Sequence, residues 1–151
     1  MYSRSADNTD ISCNDGINIP LPSDSPDSMV EQIRAQLPEL DVDKGLAICV
    51  GDKAFYIELF TCFVNLTIKD ELSGFLAAGD YKNYFIRIHG FKNNAYSVGA
   101  VALGDLAAKM QDMSRECFTE DIHAAQESLF EQYNRICSIF NQITAEDVNR
   151  T

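Results

Sequence analysis

The sequence predicts an all-α fold, an up-and-down antiparallel four-helix bundle with one or two short extra helices on its N-terminal side. Three observations lead there. Apolar residues recur at helical spacing through most of the chain beyond residue 27. No segment sustains period-two alternation, and "GLAICV" is too short and isolated to build a sheet. Long amphipathic segments are joined by loops of a few residues, which favours antiparallel neighbours.

Residues 1–27 are rich in Ser, Asp, Asn and Pro with isolated apolar residues. Such a composition buries too little surface to offset the entropy of ordering, so a disordered or linker tail is expected there, with the folded domain over 28–151. In "SPDSMVEQIRAQLPEL", Met29, Val30, Ile33 and Leu37 fall at helical spacing after Ser25 and Pro26, and Pro38 stops the run. A short helical turn follows in "DVDKGLAICVGD". Asp52 then caps a helix whose predicted core face is Phe55, Tyr56, Leu59, Phe63 and Leu66. Thr67 and Asp70 approximate a capping box for a helix holding Leu72, Phe75 and Leu76, with Gly79 placed for a left-handed end.

Asp80 caps the next helix, about 81 to 98, in which Tyr84, Ile88, Phe91, Ala95 and Val98 form one continuous apolar stripe ended by Gly99. A helix from about Ala100 to Cys117 is expected to bury Leu103, Leu106, Ala107, Met110 and Met113. The last helix is opened by Thr119, Glu120 and Asp121 and runs to about Ile143, with Ile122, Ala125, Leu129, Tyr133, Ile136, Phe140 and Ile143 along its seam.

At 151 residues, 46% hydrophobic and 10% aromatic, the chain suits one soluble domain, and four amphipathic helices closing a shared core suit a monomer. No apolar run reaches the roughly 20 residues that span a bilayer, so no membrane insertion is expected. The N-terminus lacks the basic and apolar regions of a signal peptide, which makes the cytoplasm the expected compartment. A net charge of −11 repels phosphate backbones and argues against nucleic acid. The five cysteines form no C-x-x-C pair, which argues against a disulfide framework or a zinc site. They read as reduced thiols.

There are two histidines, His89 and His123. They are too few to ligate a metal or haem in a bundle core. His123, in the first turn of the last helix beside Glu120 and Asp121, reads as a solvated helix-end residue. His89 flanks the apolar stripe and shares a helix face with Phe85, Ile86, Lys92, Asn93 and Tyr96. By residue type alone, a lone helical histidine at a core edge is compatible with a structural or solvated role. It also suits nucleophilic chemistry, since one ring nitrogen is a competent nucleophile when the other is held as a hydrogen-bonded N–H. Lys82, Arg87 and Lys92 cluster near it in an otherwise acidic chain.

The string "IHGFKNNAYSVGA" resembles the active helix of histidine-containing phosphotransfer (HPt) domains, which place a lysine three residues after the histidine and end with an apolar–Gly–Ala step. "LPELDVDKGLAICVGDKAFYIELFTCFVN", "FLAAGDYKNYFIRIHGFK" and "VALGDLAAKMQ" resemble the family's flanking segments, so that the similarity covers about residues 38 to 142. The resemblance implies that His89 is the phosphoacceptor and that Lys92 supplies charge beside the phosphoryl oxygens. It further implies that Gln111 accepts from the imidazole N–H, and that Lys82, Phe85, Ile86, Arg87, Asn93 and Tyr96 face the partner. The chain is then a stoichiometric phosphocarrier in a two-component phosphorelay rather than a kinase. Its partners are receiver domains of response regulators or hybrid histidine kinases. It binds no cofactor of its own, the Mg2+ being expected on the receiver.

Two positions depart from the family pattern. Asn93 stands where a glycine is usual, and Gly90 replaces a residue with a side chain, at a cost of up to about 1 kcal/mol relative to alanine in a helix interior. Asn93 keeps a second expectation open, an HPt-like helical adaptor that binds a receiver without exchanging phosphate. The dimerisation hairpin of a sensor kinase fits less well, because "HGFKNNAYSVG" lacks that hairpin's acidic residue and proline.

Overall fold

The computed structural model describes residues 25–115, 117, 118 and 120–150. Residues 1–24 of the expected tail, Cys13 and the predicted opening residue Thr119 lie outside them. Among the described residues the fold is all-helical, with seven helices and no strand: α1 (Pro26–Gln36), α2 (Val42–Ile48), α3 (Lys53–Val64), α4 (Ile68–Ala78), α5 (Tyr81–Ser97), α6 (Val101–Met113) and α7 (Asp121–Arg150). The separate helix expected after Thr67 is α4, and at 11 residues it is as short as α1.

Most helix starts follow from side-chain caps. The side chains of Ser25, Asp41, Asp52 and Asp80 accept hydrogen bonds from the backbone N–H groups of Ser28, Lys44, Phe55 and Asn83, each at 3.1 Å. α4 and α6 start without a side-chain cap bond, at Thr67 and Ala100, so the capping box predicted at Thr67 does not form. Gly79 ends α4 in the left-handed conformation at φ 69°, as its position predicts.

Two helix ends differ from the sequence reading. α6 stops at Met113 instead of Cys117, because the buried Ser114 turns back on the helix. Its N–H donates to the carbonyls of Met110 and Gln111, and its hydroxyl donates to Gln111 O at 3.0 Å. α7 runs on to Arg150 beyond the last seam residue, Ile143. "TAEDVNR" holds no glycine or proline to break it.

The core is continuous across all seven helices. At its centre Phe60 stacks on Phe140 with ring centroids 4.6 Å apart, and Phe63, Phe91 and Tyr133 pack mutually at 5.3 to 5.5 Å. Phe60 is fully buried, whereas Phe55, predicted for the core, is 45% exposed. α3 is apolar on most of its circumference, so its periodicity does not single out one face. The three buried phenols are satisfied: Tyr56 donates to Val98 O, Tyr84 to Gln126 Oε1 and Tyr133 to Phe63 O, at 2.6 to 2.8 Å. Burial pushes their pKa values well up, and they act as neutral donors.

α5 packs against α4 on one flank and α6 on the other, and also touches α2 and α3. α7 packs against α1, α3 and α6. The C-terminal end of α5 is clamped by the chain entering α2, where the N–H of Asp41 donates to Gly99 O at 2.8 Å. The turn between α2 and α3 carries a local strain: Val50, 91% exposed, holds φ 56° directly before Gly51 at φ 77°. Val50→Asn, which tolerates the left-handed region better than a β-branched residue, is expected to raise stability by roughly 1 kcal/mol, read as a higher urea midpoint.

Candidate functional site

The stripe Tyr84, Ile88, Phe91 and Ala95 is fully buried and sets the rotation of α5. That rotation leaves His89 exposed, one residue round from the core. On the neighbouring helix, Gln111 lies in the last turn of α6, held there by the two hydrogen bonds from Ser114 to its carbonyl. Its Oε1 sits 2.9 Å from His89 Nδ1. A side-chain carbonyl oxygen only accepts, so in the neutral ring Nδ1 is the donor of this bond and Nε2 is left with the lone pair. Gln111, singled out by the resemblance, thus lies beside His89.

The imidazole has a wall on its α6 side. Phe85, one turn earlier, lies nearly parallel to it, with centroids 6.4 Å apart and planes at 9°. The Arg115 guanidinium lies 5.6 Å from the Phe85 ring centroid and pairs with Asp112 at 3.0 Å. Arg115 and Asp112 were missed in the sequence, because their approach to Phe85 depends on where α6 ends. A shallow groove lined by Tyr81, Lys82, Phe85, Ile86 and Arg115 runs beside the histidine, with Ile86 60% exposed.

Lys92 is half-buried one turn beyond His89 and forms no ion pair among the described residues. Asn93 is exposed next to it. Two of the predicted partner-facing residues are engaged within the fold. Arg87 turns away from His89 and pairs with Glu71 of α4, its side chain only 23% exposed, so it does not join Lys82 and Lys92 as a free charge. Its place on the wheel, about 200° from His89, accounts for this. Tyr96 donates to Asp105 Oδ1 at 2.7 Å, and its ring covers Gly104 so closely that a Cβ there would lie 2.3 Å from Cε1. The hydrogen bond to Asp105 raises the Tyr96 phenol pKa, with burial adding to it. Tyr96 ties α5 to α6 before it is anything else.

His123 is exposed in the first turn of α7, in a separate shallow groove with Gln126, Glu127 and Phe130. Among the described residues no group of three or more His, Cys, Asp or Glu side chains is placed to hold a metal ion. Cys49, Cys62, Cys117 and Cys137 are free thiols. No helix among the described residues is long and apolar enough to cross a membrane. Comparison of the chain with protein-family models, with curated proteins and with solved structures finds no match in any of the three.

Proposed function

We propose that the chain is a histidine-containing phosphotransfer domain, relaying a phosphoryl group between aspartates of receiver domains through His89. The observation that carries this reading is the 2.9 Å contact between His89 Nδ1 and Gln111 Oε1, which in the neutral ring leaves Nε2 of this exposed residue as the nucleophile. The packing of α3, α5, α6 and α7 supports an up-and-down bundle as its scaffold.

In the step proposed, the Nε2 lone pair attacks the phosphorus of a receiver's aspartyl phosphate. The N–P bond forms, the P–O bond to the aspartate breaks, and the carboxylate leaves with its electron pair. The ring becomes a phosphorylated imidazolium whose remaining proton, on Nδ1, is shared with Gln111. The Lys92 ammonium offsets charge on the phosphoryl oxygens from one turn away. The second half of the relay reverses these bonds on another receiver's aspartate. Phosphoryl transfer of this kind asks for positioning and charge stabilisation more than covalent machinery, and the Mg2+ involved is expected in the receiver's acidic pocket. The chain then works as a cytoplasmic monomer that turns over no substrate by itself.

The test is incubation with a panel of phosphorylated receiver domains, scored for an acid-labile, alkali-stable label. Gln111→Leu is expected to slow labelling about 10- to 100-fold, the value of a hydrogen bond to a group that becomes charged, while leaving the helix content unchanged by circular dichroism. Asn93, exposed beside His89, favours one alternative: an adaptor that binds receivers without exchange. Receiver binding without any label on the wild type is the outcome that selects it.

A further inference from the structure

We infer that Gly90 is a specificity-determining residue of this site, a bare stretch of α5 backbone that admits the main chain of an acidic partner domain beside His89. The inference rests on the phosphotransfer reading above and names the contact that its partner makes.

Five other glycines set the contrast, while Gly74 on α4 is open like Gly90. Gly51, Gly79 and Gly99 adopt positive φ, and a Cβ on Gly45 or Gly104 would strike Tyr56 or Tyr96 at 2.6 or 2.3 Å. The fold itself needs those five. Gly90 lies inside α5 with helical backbone, and nothing stands within 4 Å of where its Cβ would be. Internal packing therefore gives no reason to accept a poor helix former one residue after His89.

Its position gives one. Successive helical residues are turned by about 100°, which puts Gly90 on the side of His89 opposite Phe85 and Tyr96. The α6 side is walled by the contacts of Phe85 with Arg115 and of Tyr96 with Asp105. The Gly90 side is open and bordered by exposed Ile86, Asn93 and Asn94. The Asn93 carboxamide offers both a donor and an acceptor, the complement of a peptide group. α5 carries Lys82 and Lys92 and no acidic residue, Arg87 being paired with Glu71, in a chain of net charge −11, which selects an acidic partner. A side chain at position 90 would stand between that partner and Nε2.

Gly90→Ala, Gly90→Gln and a matched control, Gly74→Ala, test this. Gly74 is also helical with nothing near its Cβ position, but it lies on α4. Each variant is measured for thermal midpoint, for labelling by phosphoramidate, a small donor that needs no docking, and for labelling by the fastest phosphorylated receiver. All three variants should match or exceed the wild-type midpoint, since alanine and glutamine are better helix formers than glycine. For Gly90→Gln the loss of rate should be about tenfold greater with the receiver than with phosphoramidate, with Gly90→Ala intermediate and Gly74→Ala like wild type. Equal losses with both donors, or receiver transfer at the wild-type rate in Gly90→Gln, overturn the inference. A wild type labelled by neither donor overturns the phosphotransfer reading and this inference with it. If phosphoramidate alone labels the wild type, receiver affinity is read instead, and unchanged affinity in Gly90→Gln overturns the inference.

Discussion

Replacing His89 with glutamine is expected to remove all phosphoryl label while leaving the protein folded. His89 is exposed, and its hydrogen-bonding contact is to the Gln111 side chain near the surface. The core residues that flank it, Ile88 and Phe91, are untouched by the exchange. Glutamine is a good helix former of similar reach, and surface substitutions away from special features stay within about 0.5 kcal/mol. The carboxamide lacks a nucleophilic nitrogen, so transfer should fall by at least three orders of magnitude, to background, as expected when the attacking atom itself is lost. Label retained on His89→Gln would place the acceptor elsewhere, with His123 the other imidazole of the chain.

Gly99→Ala is expected to produce the largest loss of stability of any small substitution near the site. Gly99 holds φ 86°, and a Cβ on it would lie 2.2 Å from Asp41 O and 2.8 Å from Asp41 C. The obstructing atoms are backbone and are tied in place by the Asp41 N–H bond to Gly99 O, so they have no cheap way to move. The left-handed conformation costs about 1–2 kcal/mol for alanine and the overlap about 1–3 more, together roughly 2–5 kcal/mol. Against a typical domain stability of about 5–15 kcal/mol, this is a large fraction, visible as a clear drop in the urea midpoint. Because the clamp anchors the C-terminal end of α5, receiver transfer should decline in step with the folded fraction. An unchanged midpoint would mean that Asp41 and Gly99 are not held together in solution.

How far the site was legible follows from the range of each signal. His89, Lys92, Phe85 and Ile86 share one face of α5 by spacing alone, and the buried stripe that orients them has a clean 3.6-residue period. Arg87 was grouped with them by nearness in sequence, yet its angle on the helix carries it to Glu71 of α4. Tyr96 had the right angle, but its hydroxyl belongs to Asp105 on another helix. Phe60 in place of Phe55 as the core residue of α3 is the same lesson in the core: where a helix is apolar almost all round, its neighbours choose the face.

By itself, the sequence determined the helices, the caps at Ser25, Asp52 and Asp80, the turn glycines Gly79 and Gly99 and the angular position of His89, because these depend on interactions within about one helical turn. Tertiary structure alone decided that Ser114 ends α6 where Gln111 meets Nδ1, that Arg115 backs Phe85, and that Asp41 closes on Gly99. Those contacts join residues that are distant along the chain, 22 positions apart for His89 and Gln111. Local periodicity fixes the rotation of one helix about its axis but carries no information on the axial offset between two, which only the packing of their side chains sets.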